Sequence, residues 1–293
     1  MSLCKSIKVQ CPTCGHSQKY NYYGSINVTV DKELKKSVRD LSVFRVYCKH
    51  CGEKINVLHP MLYHDMDKNL QIWLLPRGTT EEEKAVENKH FREIKSHPPL
   101  PDYTTRLVAT PFLLVDKVKV FDAGLDDRVI ELCKIFMYGD LCDENPQYSN
   151  REITDAFFHQ FKDGTNAIQY LCVNNDENFT LRIDDEYYST IANAFKETFE
   201  KMPSDAFDEI DQTWAYNAID FRKTLVADTA NVSNIPDVPD TDDAPSVPDS
   251  PDSHDTTDTI PAQSTTRNFC HKCGAKLLPE SNFCSRCGAK IAN

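Results

Sequence analysis

The sequence predicts an α+β fold: a sheet-containing body with packed helices, a polar linker, and a small cysteine-rich module at the C-terminal end. Three observations carry this expectation. Runs in which β-branched and aromatic residues alternate read as strands. Apolar residues recur at helical spacing in later segments. Eight of the twelve cysteines fall into four Cys-x-x-Cys pairs, each followed by glycine.

The elements follow in order. "IKVQCPTC" and "QKYNYYGSINVTV" read as short strands, and "DKELKKSVRDLSVFRVYC" as a brief helix leading into a strand. "KINVLHPMLYHDMDKNLQIWLLP" holds strands on either side of the turn "HDMDKN". "TTEEEKAVENKHFREIK" reads as a helix, with Thr80 as N-cap, acids in the first turn and bases near the end, a charge order that suits the helix dipole. "TRLVATPFLLVDKVKVFDAGLDDRVIELCKIFMYGD" is expected to be helical. Within it Leu125, Val129, Leu132, Cys133, Phe136 and Met137 share one face, with Asp126 and Asp127 in the first turn. "AIQYLCVN" and "NFTLRID" read as a hairpin, and "DEYYSTIANAFKETFEKM" as an amphipathic helix. "SDAFDEIDQTWAYNAIDF" is expected to pack Phe207, Ile210, Trp214 and Ile219 along one side.

Composition sets the boundaries. The chain has 293 residues, 40% hydrophobic, with a mean hydropathy of −0.52. From Asp228 to Thr266 it is rich in Asp, Pro, Ser and Thr and carries no Lys, Arg or aromatic residue. Such a segment buries too little apolar surface to offset its ordering entropy, so a solvated, disordered linker is expected. The predicted organisation is therefore a body over residues 1–227, an acidic linker over 228–267 and a small module over 268–293. No apolar run approaches a membrane span, and "MSLCKSIKVQ" offers no hydrophobic core for an export signal. The cytoplasm is the expected compartment. Net charge is −12 with a pI near 5.2, which argues against general attraction to nucleic acid. Basic residues nevertheless outnumber acidic ones from Met1 to Pro60.

In a reducing compartment, paired cysteines mean metal or catalysis more often than disulfides. A redox pair is expected at a helix start, whereas Cys14 precedes Gly15 and a strand-like aromatic run. Glycine directly after the second cysteine permits the left-handed turn that aims both sulfurs at one metal. The pairs are therefore read as zinc knuckles. Cys270, Cys273, Cys284 and Cys287 lie in a near-repeat, "NFCHKCGAK…NFCSRCGAK", and are assigned to one structural four-thiolate site, a zinc ribbon. Cys11, Cys14, Cys48 and Cys51 form the other, with a strand and helix inserted between the pairs. Two structural Zn2+ ions per chain are expected. His16, His50 and His271 are alternative ligands in principle, but with four thiolates at each site they are read as bystanders or as hydrogen-bond donors around the ligands. Of the remaining cysteines, Cys4, Cys133, Cys142 and Cys172, the second and last sit on apolar faces, as small hydrophobes do.

The segments "VQCPTCGH", "YCKHCGEKINVLHPMLYHDMDKNLQIWLLP" and "TTRLVATPFLLVDKVKVFDAGLDDRVIELCKIFM" resemble the CpXC domain family of bacteria and archaea, named for its Cys-Pro-x-Cys motif. The resemblance runs from about Ile7 to about Phe221. It departs at Cys48-Lys49-His50-Cys51, which lacks the proline, a change that zinc coordination tolerates. It implies a prokaryotic zinc-binding domain without an assigned activity.

Three functions compete on the sequence. The leading one is a non-catalytic scaffold or adaptor for an unidentified protein partner, since four-thiolate sites leave no position for water. The second is nucleic-acid binding through Lys5, Lys8, Lys19, Tyr20, Tyr22 and Tyr23, which combine positive charge with rings able to stack on bases. The third is an enzyme using His59, His64 and Asp65 with Asp126 or Asp127. The plainer reading of Tyr63-His64-Asp65 is a strand end with a turn, and of Gly124 to Asp127 a capped helix start. No catalytic residue is assigned and no membrane association is expected.

Overall fold

Alternation at the start of β2 (Ser17–Asn27), where Gln18 and Tyr20 turn inward between exposed Ser17, Lys19 and Asn21, seats the first hairpin, in which the almost wholly exposed β1 (Leu3–Gln10) pairs antiparallel with it. A computed structural model describes residues 1–97, 100–205 and 207–232 of the chain. Short helix α1 (Glu33–Arg39) leads to the small antiparallel pair β3 (Arg45–Tyr47) and β4 (Lys54–Asn56). Strands β5 (Met61–Asp65) and β6 (Leu70–Leu74) flank a turn in which Asn69 is left-handed. Helix α2 (Glu81–Lys95) and strand β7 (Thr104–Val108) follow. The main sheet has the order β1-β2-β5-β6-β7, with β2/β5 and β6/β7 parallel and the other pairs antiparallel.

Period-two burial positions the layers. Met61 and Tyr63 of β5, with Leu70, Ile72 and Leu74 of β6, face one side of the sheet. There they meet Val38 of α1 and Leu114 and Val118 of α3 (Pro111–Asp122). Trp73 and Leu107 face the other way, toward Phe91 and Ile94 of α2. Each fully buried Ile, Leu or Met contributes on the order of 1.5–3 kcal/mol. Thr80 caps α2 with a complete capping box to Glu83.

Helix α4 (Asp127–Glu144) is the hub of the second half. Its Val129, Ile130, Cys133 and Met137 pack on the antiparallel sheet β8 (Ile153–Gln160), β9 (Asn166–Cys172) and β10 (Phe179–Ile183). Its Leu132 meets Phe195 of α5 (Asp185–Lys201) and Ala215 and Ala218 of α6 (Gln212–Val232). A helix covered on several sides has no wide polar stripe. Met1–Phe221 forms one compact unit; the second, Arg222–Asn293, is described only as far as Val232.

The structure departs from the sequence reading at four points. Residues 105–108, read as the start of a helical region, belong instead to β7, held by parallel pairing to β6. β8 has no counterpart in the sequence reading. Phe207, Ile210, Trp214 and Ile219 do not share one side: Phe207 and Ile210 precede α6, Phe207 packs with the α2 cluster, and Trp214 and Ile219 join the α4–α5–α6 cluster. Helix α6 also continues through 228–232, the first residues of the expected linker. Residues 233–293, which hold the rest of that linker and Cys270, Cys273, Cys284 and Cys287, lie outside the described residues.

A buried chain of charges ties these layers together. Arg106 of β7 makes a two-pronged contact to Asp127 at 2.8 and 2.9 Å. Lys117 reaches Asp127 at 3.4 Å and Glu131 at 2.8 Å, and Lys134 joins Glu131 at 2.9 Å to Asp116 at 2.6 Å. Asp116 also accepts the Phe158 N–H of β8. Lys117 is 1% exposed and Asp127 0%. Alternating signs offset the desolvation that any one of these charges would suffer alone.

Candidate metal centre

The first four-cysteine group is built by two turns of the same design. In the first, the Cys11 N–H donates to the His16 carbonyl at 2.8 Å and the Gly15 N–H to the Cys11 carbonyl at 3.0 Å. In the second, the Cys48 N–H donates to the Glu53 carbonyl at 2.8 Å and the Gly52 N–H to the Cys48 carbonyl at 2.9 Å. Gly15 and Gly52 have φ of 72° and 75°, the left-handed conformation that the turn needs and that a Cβ disfavours. The first turn closes the β1/β2 hairpin and the second joins β3 to β4. Chain segments far apart in sequence thus present matching pairs of thiols.

The sulfurs meet. Cys11 and Cys51 Sγ are 3.6 Å apart, as are Cys14 and Cys48, and all four lie within 4.8 Å of one another. A tetrahedral ion with Zn–S bonds of about 2.3 Å holds its sulfurs about 3.8 Å apart. The same distances are far too long for disulfides, whose sulfurs sit about 2.05 Å apart. Cys11 and Cys48 are buried and Cys14 and Cys51 exposed, so the cluster has an inner and an outer side. Ile55, Val46 and Val57 pack against the inner side.

The local hydrogen bonds pull the proton affinities of the neighbouring thiols apart. Hydrogen bonding from the Cys51 N–H, then from that of His50, brings the Cys48 thiol down to about 6. The Glu53 N–H favours the Cys51 thiolate, yet the Cys14 sulfur and burial push that thiol up to about 12. Four adjacent sulfurs cannot all carry negative charge without a cation. A divalent thiophilic ion would remove the conflict and crosslink the hairpins.

Surrounding groups hold the turns. The Gln18 side chain donates to the Tyr47 carbonyl at 2.9 Å and accepts the Lys49 N–H at 2.7 Å, so β2 grips the second turn. The His16 and His50 rings stack at 5.7 Å outside the thiol group, as neighbours. No periodicity in the sequence marks Gln18; its role follows only from the fold.

The other candidate residues do not converge. His59 is buried, with Nδ1 3.1 Å from the Val57 carbonyl and Nε2 3.1 Å from that of Tyr23. It pins β2 to the segment after β4, and desolvation lowers its pKa. His64 and Asp65 point to opposite faces of β5, as strand geometry requires. His64 Nε2 meets the Tyr103 hydroxyl at 3.3 Å, whereas Asp65 pairs with Lys35 at 3.2 Å. Asp126 caps α4 through the Arg128 N–H, and Asp127 belongs to the buried charge chain. Tyr20 donates its buried hydroxyl to the Val43 carbonyl. Tyr22 packs edge-on to His59, and Tyr23 lies against the main core. Cys133 and Cys172 are buried, and desolvation raises the Cys133 thiol to about 12.

Among the described residues, no helix is long and apolar enough to cross a membrane. No curated protein and no solved structure matches the chain. Two family models do. One, described as CpXC protein, covers residues 9–134 and so includes the whole four-cysteine cluster but ends within α4, short of the resemblance expected to about Phe221. The other, described as a zinc-ribbon domain, covers residues 269–291, where Cys270, Cys273, Cys284 and Cys287 lie. The chain therefore carries a CpXC domain followed by a C-terminal zinc-ribbon domain, and these with its cysteine cluster make it a zinc-binding protein.

Proposed function

We propose that this protein is a non-catalytic, cytoplasmic interaction module or scaffold whose two four-cysteine sites each hold one structural Zn2+. The observation that carries this reading is the closure of the first site: four sulfurs within 4.8 Å of one another fill a tetrahedron and leave no place for a water or substrate. A ligand set of this kind supplies folding energy instead of an activated nucleophile. The chain's second zinc-binding element sits beyond a long acidic segment, an arrangement that favours simultaneous contacts with one partner by raising effective concentration.

Nucleic-acid binding is the weaker alternative. Lys5, Lys8 and Lys19 give it a basic strip, but Tyr20, Tyr22 and Tyr23 are engaged with the protein and do not form a stacking platform. A catalytic role near His64 and Asp65 has less support still, since their side chains diverge and Asp65 is held by Lys35.

The test is native mass spectrometry of the full chain purified without chelator, alongside affinity capture from its own cell extract. Two zinc ions per chain and a reproducible protein partner are expected. A chain that retains a nucleotide or metabolite, or that captures no protein, would count against the reading.

A further inference from the structure

We propose that the open edge of β1 is a docking site for an acidic peptide segment, which adds to the main sheet as an extra strand. The inference rests on the interaction role proposed above and names the chemistry of the partner. β1 ends the sheet order, and all of its residues except Val9 are exposed. It contains no proline, and its one irregularity lies at Leu3/Cys4, so the rest of the edge is regular. Sheet edges of this kind are usually blunted or covered, because their free main-chain groups template further pairing.

Register tells which groups are free. The Cys11 N–H bonds to the His16 carbonyl, and β1 and β2 continue the same register. Main-chain groups alternate between partner and open side along an antiparallel strand. Val9, Ile7 and Lys5 therefore turn theirs toward β2, leaving those of Ser6, Lys8 and Gln10 pointing out of the sheet. The side chains of these outward residues share an exposed face with Ser17, Lys19 and Asn21.

Charge selects the occupant. Lys8 stands directly opposite Lys19, a like-charge pair that disfavours the hairpin on its own. Among the described residues neither lysine, nor Lys5, makes an ion pair. A carboxylate on an added strand would lie beside Lys8 and relieve that repulsion. A second copy of β1 would bring more lysines. A nucleic acid could meet the charge but not the free N–H and carbonyl ladder, so strand addition by an acidic peptide satisfies both features.

The experiment titrates the metal-loaded full chain into a fluorescein-labelled peptide that alternates glutamate with valine and threonine. Its lysine counterpart and an oligothymidine serve as comparison probes. The glutamate peptide is expected to bind with steep salt dependence and to protect the Ser6, Lys8 and Gln10 amides from hydrogen exchange. Ser6→Pro removes one outward N–H at an edge position that tolerates proline, and should weaken binding by at least about tenfold while melting temperature and metal content stay unchanged. Lys8→Glu should shift preference toward the lysine peptide. Binding that ignores Ser6→Pro, protection elsewhere, or preference for oligothymidine overturns the proposal. So does self-association that Ser6→Pro abolishes, since the occupant would then be a second copy. A captured protein partner retained equally by Ser6→Pro removes the edge but leaves the interaction role standing; a wild-type chain that captures no protein and binds no peptide removes both.

Discussion

Gly15 and Gly52 each sit at the outer end of a Cys-x-x-Cys turn with positive φ, and around neither is space the constraint. A Cβ on Gly15 would meet only the Gln10 side-chain nitrogen at 3.9 Å, and one on Gly52 nothing within 4 Å. The cost of Gly15→Ala is therefore conformational, about 1–2 kcal/mol for a left-handed residue carrying a Cβ. Because the turn also aims Cys11 and Cys14, that strain should appear as a roughly five- to thirtyfold loss of zinc affinity in a chelator competition. An unchanged affinity would mean that the turn relaxes without moving the sulfurs. This much was legible in the sequence, since glycine after the second cysteine recurs at each pair. Gln18 was not legible: a glutamine in a strand reads as a solvated residue until the fold brings Tyr47 and Lys49 to it.

Elements hold together here through α3 and α4, and Glu131 is the residue to test. Its Oε1 accepts from both Lys117 and Lys134, so Glu131→Gln leaves two buried ammonium groups short of a charge. Breaking such a buried set costs about 3–5 kcal/mol, which urea denaturation would detect as a lower midpoint; a loss below about 1 kcal/mol would show that water reaches the chain of charges. The same network shapes acid stability. Burial alone would raise the Asp127 carboxyl, but Lys117 and Arg106 outweigh it and hold the group below the usual carboxylate range. Its contribution is then complete above about pH 4 and is lost as pH falls through the lower folded value. Burial would likewise lower Lys134, yet Asp116 and Glu131 raise it, so its contribution persists below about pH 10 and fades only above that. Denaturation midpoints should be flat between those limits and fall on the acid side, with Asp127→Asn flattening the acid limb. The sequence hid this network because local periodicity treats Asp116, Lys117 and Glu131 as a polar face, whereas α4 is covered by α3, α5, α6 and β8–β10. It hid β7 for a related reason: "TTRLV" runs straight into the apolar helix "PFLLVDKVKVF", and only pairing with β6 identifies it as a strand.

At the scale of the whole molecule, the two zinc-binding elements should fail differently when their ligands are removed. Cys11 is 1% exposed and packs with Cys48 and Ile55, and its turn closes the β1/β2 hairpin, whose second strand feeds the main sheet through Ser25–Asn27 and β5. Cys11→Ser removes one thiolate and loosens a cluster whose small apolar backing consists of Ile55, Val46 and Val57. Too little surface is buried there to hold the module without a metal. Hydrogen exchange should therefore rise at β3, β4 and the Cys11–Gly15 turn, and the melting temperature of the body should drop. Amides of α4 and β9, which lie in the separate cluster around Ile130, Ile168 and Tyr170, should stay protected. Cys270→Ser acts on a segment of 23 residues matched as a zinc-ribbon domain; a module of that length would need a bound metal to supply its folding energy. It should lower the zinc content by one ion and leave the melting of the body unchanged. If Cys270→Ser also destabilised the body, the ribbon would be part of the same cooperative unit, and the acidic segment between them would be a structural connection instead of a tether. If Cys11→Ser left exchange at β3 and β4 unaltered, the four thiols would be held in place by packing alone, and zinc would be a passenger at a site the protein folds without.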